Sequence, residues 1–445
     1  MFKEPSDSKS SLFGKFSFDV LFLVGGQFII AVVALISSAF IARQLGVENR
    51  GFLVLAMLLP NMLVAFSDFG LGVAGTKFSA SKKWLSSTIY ATNILFIIIR
   101  IIIITIIGIS LVYLYSHIIF PDMPAKFLYL GLLMILGLSI QGMILPLFLG
   151  LDRALQYSLI LLANSVFGLL ILILAFQITN LTVELILILH SLISLIISIY
   201  IVWSIKKSFN EKPKPSFKYF KEASRFGFGI YISYISQFSS DKMAILILNF
   251  FGGAIYVSLH TIAQSLTERL YLISDAVGTI LLPKIAEAEN NSHLITPFIF
   301  KITIITISMI SITLILLSEW LIVLVYTSEF SGAIDIMKIL LVGVVFSSGW
   351  NIISNDLNGR GFSKEVAYIN VLLVLISLTL STLLTSNLGV IGVATGSVIA
   401  YAVVLIIGIT FFILKTQQIS FYNMIFFSFY EKNIIKSSLS NLLNR

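Results

Sequence analysis

From Thr88 to Leu114 the chain runs for 27 residues with one charge, Arg100, set in Asn93-Ile-Leu-Phe-Ile-Ile-Ile-Arg-Ile-Ile-Ile-Ile-Thr-Ile-Ile107. About 20 apolar residues suffice for a helix to cross a bilayer. Barrel strands, by contrast, alternate apolar and polar residues over only about ten positions. The stretch therefore predicts a transmembrane helix. Arg100 lies 12 residues from one end and 14 from the other, roughly 18–21 Å of helix rise. A side chain snorkels only over its own length, so the guanidinium cannot reach the headgroups. Placing arginine at that depth costs about 2.5–3.5 kcal/mol on insertion scales, and such charges face a partner or a wet cavity. Two readings follow, a buried structural ion pair or the lining of a polar pathway.

The same pattern recurs along the chain. Hydrophobic residues make up 58% of the 445 and charged ones 11%, far more apolar surface than a soluble core can cover. The expected fold class is an all-α polytopic membrane protein. Its first apolar segment, from about Phe16 to Ala42, is too long for the core of a signal peptide. With no cysteine, disulfides, thiolate metal sites and cysteine nucleophiles are excluded. His117, His190, His260 and His293 are too scattered to read as a metal site.

Apolar windows and their polar breaks predict twelve spans, at 17–42, 50–73, 88–114, 126–150, 157–178, 182–205, 226–250, 255–282, 298–325, 332–355, 366–386 and 389–414. With the N-terminus inside, 22 Lys and Arg residues fall on the cytoplasmic side and four (Arg43, Arg50, Lys126, Lys338) on the other. That bias predicts cytoplasmic termini and accounts for the net charge of +8 without any nucleic acid.

Two features divide the chain. The segment 206–225, containing Lys212-Pro-Lys-Pro215, reads as a stiff basic linker after six spans. The expected organisation is therefore a six-helix bundle over 1–205, the linker, a second bundle over 226–414 and an interfacial tail over 415–445. An internal echo joins the halves. Gln44-Leu-Gly-Val-Glu-Asn-Arg-Gly51 opens the second span, which ends near Asp68-Phe-Gly-Leu-Gly72; Phe250-Phe-Gly-Gly-Ala-Ile-Tyr-Val257 opens the eighth, which ends near Asp275. Six spans per half predict a parallel repeat, a transporter plan with the site between the halves.

Besides Arg100, the ionisable residues expected within spans are Asp68, Asp241, Lys242, Glu268, Arg269 and Asp275. Gln264, Glu268, Tyr271 and Asp275 follow a 4-3-4 spacing and are expected on one helix face, turned towards protein or water. They form either a closed ion-pair network or a hydrated cavity for a polar or anionic ligand. Pro60 and Pro146 lie inside spans and should bend them, while Gly392 and Gly396 have the spacing of closely packed helices. No P-loop, dinucleotide turn or soluble catalytic domain is visible. No cofactor is expected, and energy for any transport would come from a gradient, with H⁺ or Na⁺ as the coupling ion.

Ile41-Ala-Arg-Gln-Leu-Gly-Val-Glu-Asn-Arg-Gly51 and Asp68-Phe-Gly-Leu-Gly72 resemble the corresponding segments of polysaccharide-lipid flippases. So do Ser240-Asp-Lys242, Phe251-Gly-Gly-Ala254, Leu282-Pro-Lys284, Leu357-Asn-Gly-Arg-Gly361 and Leu388-Gly-Val-Ile-Gly-Val-Ala-Thr-Gly396. In order and spacing these cover nearly the whole chain. The resemblance is to the O-antigen and capsule repeat-unit flippases (Wzx type) of the multidrug/oligosaccharidyl-lipid/polysaccharide exporter superfamily. It implies a V-shaped, MATE-like carrier of two six-helix bundles in the bacterial cytoplasmic (inner) membrane. Its substrate would be an undecaprenyl-diphosphate-linked oligosaccharide, and its partners membrane lipids, glycosyltransferases and a polysaccharide polymerase. Family lumens are cationic, whereas the charges here are four acids and three bases.

Other functions make different demands. A cation-coupled multidrug antiporter of the same superfamily wants acids in the first half, which offers Asp68. A peptidoglycan-precursor flippase would commonly carry two more spans. A membrane-embedded polysaccharide polymerase, a different class, would carry a large outer loop, which this chain lacks.

Overall fold

The structure, a computed structural model, describes residues 6–209, 212–287, 292–416 and 421–425. These residues are mostly helical, joined by short turns, with no strand among them. Ten stretches among them are long and apolar enough to cross a membrane, and the protein is a multi-pass membrane protein.

Helix α1 (Ser6–Phe66) contains the first two expected spans. It is broken at Gly46, where φ is 72° and ψ 179°, a backbone region essentially reserved for glycine. Positions 38 and 50 would lie about 18 Å apart along a straight helix, yet Arg50 Nη2 is 3.5 Å from Ser38 Oγ. The chain therefore doubles back at one residue. Gly253, with φ 61° and ψ −156°, breaks α9 (Phe217–Thr267) in the same way. The echo in the sequence is thus a repeated backbone device: 22 residues separate Gly46 from Asp68, and 22 separate Gly253 from Asp275.

After α1 a tight turn leads into α2 (Leu71–Ala80), followed by α3 (Ser86–Ile119). The fourth span is a broken rod of α4 (Ala125–Leu132), α5 (Ile135–Ile144) and α6 (Leu147–Gly150), interrupted at Pro146 as expected. Helices α7 (Ala154–Ile178) and α8 (Val183–Lys206) follow. On α3, Ile97, Arg100, Ile104 and Gly108 are buried at helical spacing, while Ile98, Ile99, Ile102, Ile103 and Ile106 are exposed. One isoleucine face thus packs on protein and the other is left for lipid.

Beyond α9 come a 3₁₀ turn (Glu268–Leu270), α10 (Tyr271–Glu287), α11 (Ser292–Val325), α12 (Ala333–Gly359), α13 (Ser363–Leu388), α14 (Val390–Thr416) and α15 (Phe421–Ile425). Helix α12 packs against α10, α11 and α14 around Trp350, Ile353, Leu357 and Phe412. Helices α13 and α14 are joined by Gly389 alone. The tail expected over 415–445 lies largely outside the described residues, although α15 within it is helical.

The chain forms two compact units. The first holds the residues up to Phe238 together with Gly253–Ser258; the second holds Ser239–Gly252 and the residues from Leu259 onward. The start of α9 is thus part of the first unit. Tyr219 is fully buried in its core beside Leu71, Phe78 and Ile89, and Ser216 N donates to Thr92 Oγ1 at 2.9 Å. Trp84 Nε1 donates to Glu222 Oε2 at 3.1 Å, and Lys83 pairs with the same carboxylate. These partners hold the Glu222 carboxyl below the usual glutamate range. A carboxylate so depressed contributes stability that is present above its unfolded pKa and lost as pH falls through the folded one. Acidification should therefore shift Trp84 fluorescence with a midpoint below about 4.3, the ordinary glutamate value. Glu222→Gln should abolish that transition, and a midpoint at or above the ordinary value would refute the contact.

Candidate functional site

In the first unit, α1 ends at Phe66 and the chain turns through Ser67–Gly70. Phe69 (φ 51°) and Gly70 (φ 72°) are both left-handed there, a conformation that is costly for phenylalanine. The turn is held from outside. Tyr231 OH donates to the Phe66 carbonyl at 2.7 Å, and the Phe69 ring packs on Phe96 and Tyr231. The Gly70 and Gly227 backbones approach so closely that a Cβ at Gly227 would lie 2.5 Å from Gly70 O.

This turn sets Asp68 opposite α3. Arg100 Nη1 donates to Asp68 Oδ1 at 3.3 Å and Nη2 to the Ser139 carbonyl at 3.3 Å. The Arg100 side chain is 2% exposed and that of Asp68 24%. Arg100 is thus paired with Asp68, and the acid is the more exposed member of the pair.

The second unit holds the other candidates. Gln264 Nε2 donates to Glu268 Oε1 at 2.5 Å, and Lys242 and Arg269 lie within electrostatic range of Glu268. Asn351 Nδ2 donates to Asp275 Oδ1 at 2.8 Å, and Asn355 Nδ2 to Asn351 Oδ1 at 3.0 Å. Gly278 leaves room for those amides, since a Cβ there would be 2.5 Å from Asn355 Nδ2. The expectation of one continuous α-helical face needs correction. A 3₁₀ turn at Glu268–Leu270 interrupts the helix inside it, and 3₁₀ geometry advances the phase by a different angle per residue. Hydrogen bonding divides the stripe into a Gln264–Glu268 pair and an Asp275–Asn351–Asn355 cluster. Tyr271 opens α10 between them and is partly buried. Asp241 lies on α9, with its side chain outside the described set.

Four charges among the described residues escaped the sequence reading: Arg50, Asp356, Arg360 and Lys301, the last buried on α11. Arg50, taken for an outer connection, is buried, with Nη1 donating to the Ser258 carbonyl at 2.9 Å. Asp356 is fully buried and accepts from Arg360 Nε at 2.5 Å and from Thr296. The four-residue spacing of Asp356 and Arg360 was the available signal. For Arg50 no local signal existed, because the polar run Arg43–Arg50 reads as an exposed connection, whereas its burial depends on Ser258, 208 positions along the chain.

Bundled apolar helices that reverse at single glycines and carry ion pairs within or beside crossing stretches define a polytopic helical membrane fold. The chain matches the lipid II flippase MurJ, in an inward closed conformation, at a TM-score of 0.73 and 18% identity, covering 91% of this chain and 89% of MurJ. It matches an inward-facing multidrug resistance MATE family transporter of the MOP superfamily at 0.72 and 15% identity, covering 87% and 94%. By the match of residues 40–335 to its family model, the chain belongs to the polysaccharide biosynthesis protein family. A curated relative, the probable low-salt glycan biosynthesis flippase Agl15 of Haloferax volcanii, is 25% identical over 210 residues, 46% of this chain. The match spans 44% of the relative's length.

Proposed function

We propose that this protein moves an undecaprenyl-diphosphate-linked oligosaccharide, an O-antigen or capsule repeat unit, across the bacterial cytoplasmic membrane by alternating access. Both termini would face the cytoplasm, as the 22-to-4 basic bias favours. The observation that carries the reading is membership of a polysaccharide biosynthesis family on a carrier fold. Lys242 and Arg269, both within electrostatic range of Glu268, are the candidate cations for a diphosphate in the second unit, through charge-assisted hydrogen bonds. Glu268 and Asp275, both exposed, are the acids that could carry a coupling proton or bind Na⁺. Glycosyltransferases and a polymerase would act before and after it on the same lipid-linked chain. The antiporter alternative gains little from the first unit, because its candidate acid, Asp68, is already engaged by Arg100.

Reconstitution tests the reading. Lipid-linked oligosaccharide should reach the opposite leaflet of proteoliposomes faster under an imposed pH gradient. Joint Glu268→Gln and Asp275→Asn substitution should remove the gradient dependence, and joint Lys242→Ala and Arg269→Ala substitution should slow transfer about tenfold or more. Exchange of a cationic drug without any lipid transfer would replace the proposal with the antiporter.

A further inference from the structure

At one end of the first unit the fold gathers cations from separate segments. The crossing helices α3 and α8 begin at Ser86 and finish at Lys206 there, so this end lies at a membrane–water boundary. Tyr90 ties the two helices together, its OH donating to the Val202 carbonyl at 3.3 Å and its ring packing on Phe209. The segment 212–216 and the start of α9 are fastened beside them by the bonds of Ser216 to Thr92, Tyr219 to Asn93 and Glu222 to Trp84. Lys212, Lys214, Lys218, Lys221 and Arg225 are exposed on this side. Lys82 on the α2–α3 turn and Lys206 and Lys207 at the end of α8 are exposed as well.

Acids do not balance them. From Lys206 to Arg225 the sequence holds seven Lys and Arg against Glu211 and Glu222. Glu222 is already shared by Lys83 and Trp84, and Glu211 lies outside the described residues. Asp152, beside the Arg153 that donates to Ser208 at 2.6 Å, has an interaction of its own. Large rings are interleaved with the lysines. Phe217 is 79% exposed and Trp203 57%, and Lys207 Nζ stands 5.2 Å from the Trp203 ring centre. A topological signal needs basic residues in a loop; it does not need distant segments to share one surface, nor rings among them. A soluble polyanion would meet the charges and leave the rings in water. A bilayer surface takes both, rings at headgroup depth and lysines on the phosphates. We infer that this end of the first unit is a docking surface for the headgroups of anionic phospholipids in the adjoining leaflet. It concerns the lipid around the protein, not a transported one, and stands without the transport reading.

Full-length protein in a neutral detergent provides the test, with Tm followed as phosphatidylglycerol or phosphatidylcholine of the same chains is added. Phosphatidylglycerol should raise Tm saturably and more than phosphatidylcholine, since a ligand of the folded state stabilises it. The difference should shrink at about 1 M salt, where the screening length is about 3 Å. Joint Lys212→Gln, Lys214→Gln, Lys218→Gln and Lys221→Gln substitution should weaken the apparent affinity about a hundredfold or more. Lys126→Gln, at the far end of the same unit, should leave it unchanged. Equal shifts with the two lipids, an unaltered response in the quadruple variant, or the same shift with heparin or inorganic phosphate would overturn the surface. Should the quadruple variant fold poorly, Lys212→Gln with Lys214→Gln alone decides: a loss of about tenfold supports the surface, and no loss overturns it.

Discussion

Arg100→Ala should destabilise the protein by about 3 kcal/mol, read as a lowered midpoint of SDS-induced unfolding in mixed micelles. Removing one partner of a buried ion pair costs about 3–5 kcal/mol, because the other charge is left uncompensated. The lower end applies because the Asp68 side chain is 24% exposed and water relieves part of the loss. The Ser139 carbonyl loses its donor as well. Adding Asp68→Ala to the variant should restore more than 1 kcal/mol, since the stranded charge is then gone. Arg100→Lys should fall between, because a point ammonium cannot span both acceptors as the planar fork does. If the single alanine variant were as stable as wild type, the buried pair would not be a structural element.

The second large effect belongs to Gly392. A Cβ at this position would lie 2.3 Å from Thr385 N and 2.4 Å from the Leu384 carbonyl carbon. Gly396, one turn on, meets Ser381 N at 2.5 Å. These obstacles are backbone, which cannot rotate aside as a side chain can. Overpacking ordinarily costs about 1–3 kcal/mol, and Gly392→Ala should reach the upper end by prising α13 from α14. Gly142→Ala is the matched control. Nothing lies within 4 Å of its Cβ, and alanine is the better helix former by about 1 kcal/mol. Thermal unfolding of the two variants in one detergent should show a large loss for the first and none for the second. Equal behaviour would mean that the close approach of the two helices is not needed.

How much of this was legible depends on the length scale of the signal. Hydropathy marks a crossing helix because the bilayer integrates over about 20 residues, so most of the twelve expected spans lie on observed helices. Ten stretches among the described residues qualify, and the second expected span is cut by the turn at Ser67–Gly70. The glycine-to-acid echo was legible for a similar reason, although not which of Gly252 and Gly253 makes the second reversal: only glycine tolerates the backbone angles at Gly46 and Gly253, so the reversal is written in residue type. Gly392 and Gly396 were readable because small residues four apart have few other uses on a helix.

Within the isoleucine run of α3, by contrast, every face looks alike to hydropathy. Arg100 showed that one face must be covered, but its partner stands 32 positions away on an irregular turn. The burial of Arg50 likewise needs Ser258, 208 positions along the chain. The second-unit stripe was split by a three-residue 3₁₀ turn that no periodicity announces. The sequence by itself determined where the helices run and where they reverse, since those depend on local hydropathy and backbone tolerance. Only the tertiary structure decided that Arg100 meets Asp68 and Arg50 meets Ser258, because those contacts are made by distant segments brought within about 4 Å, and no local pattern encodes that distance.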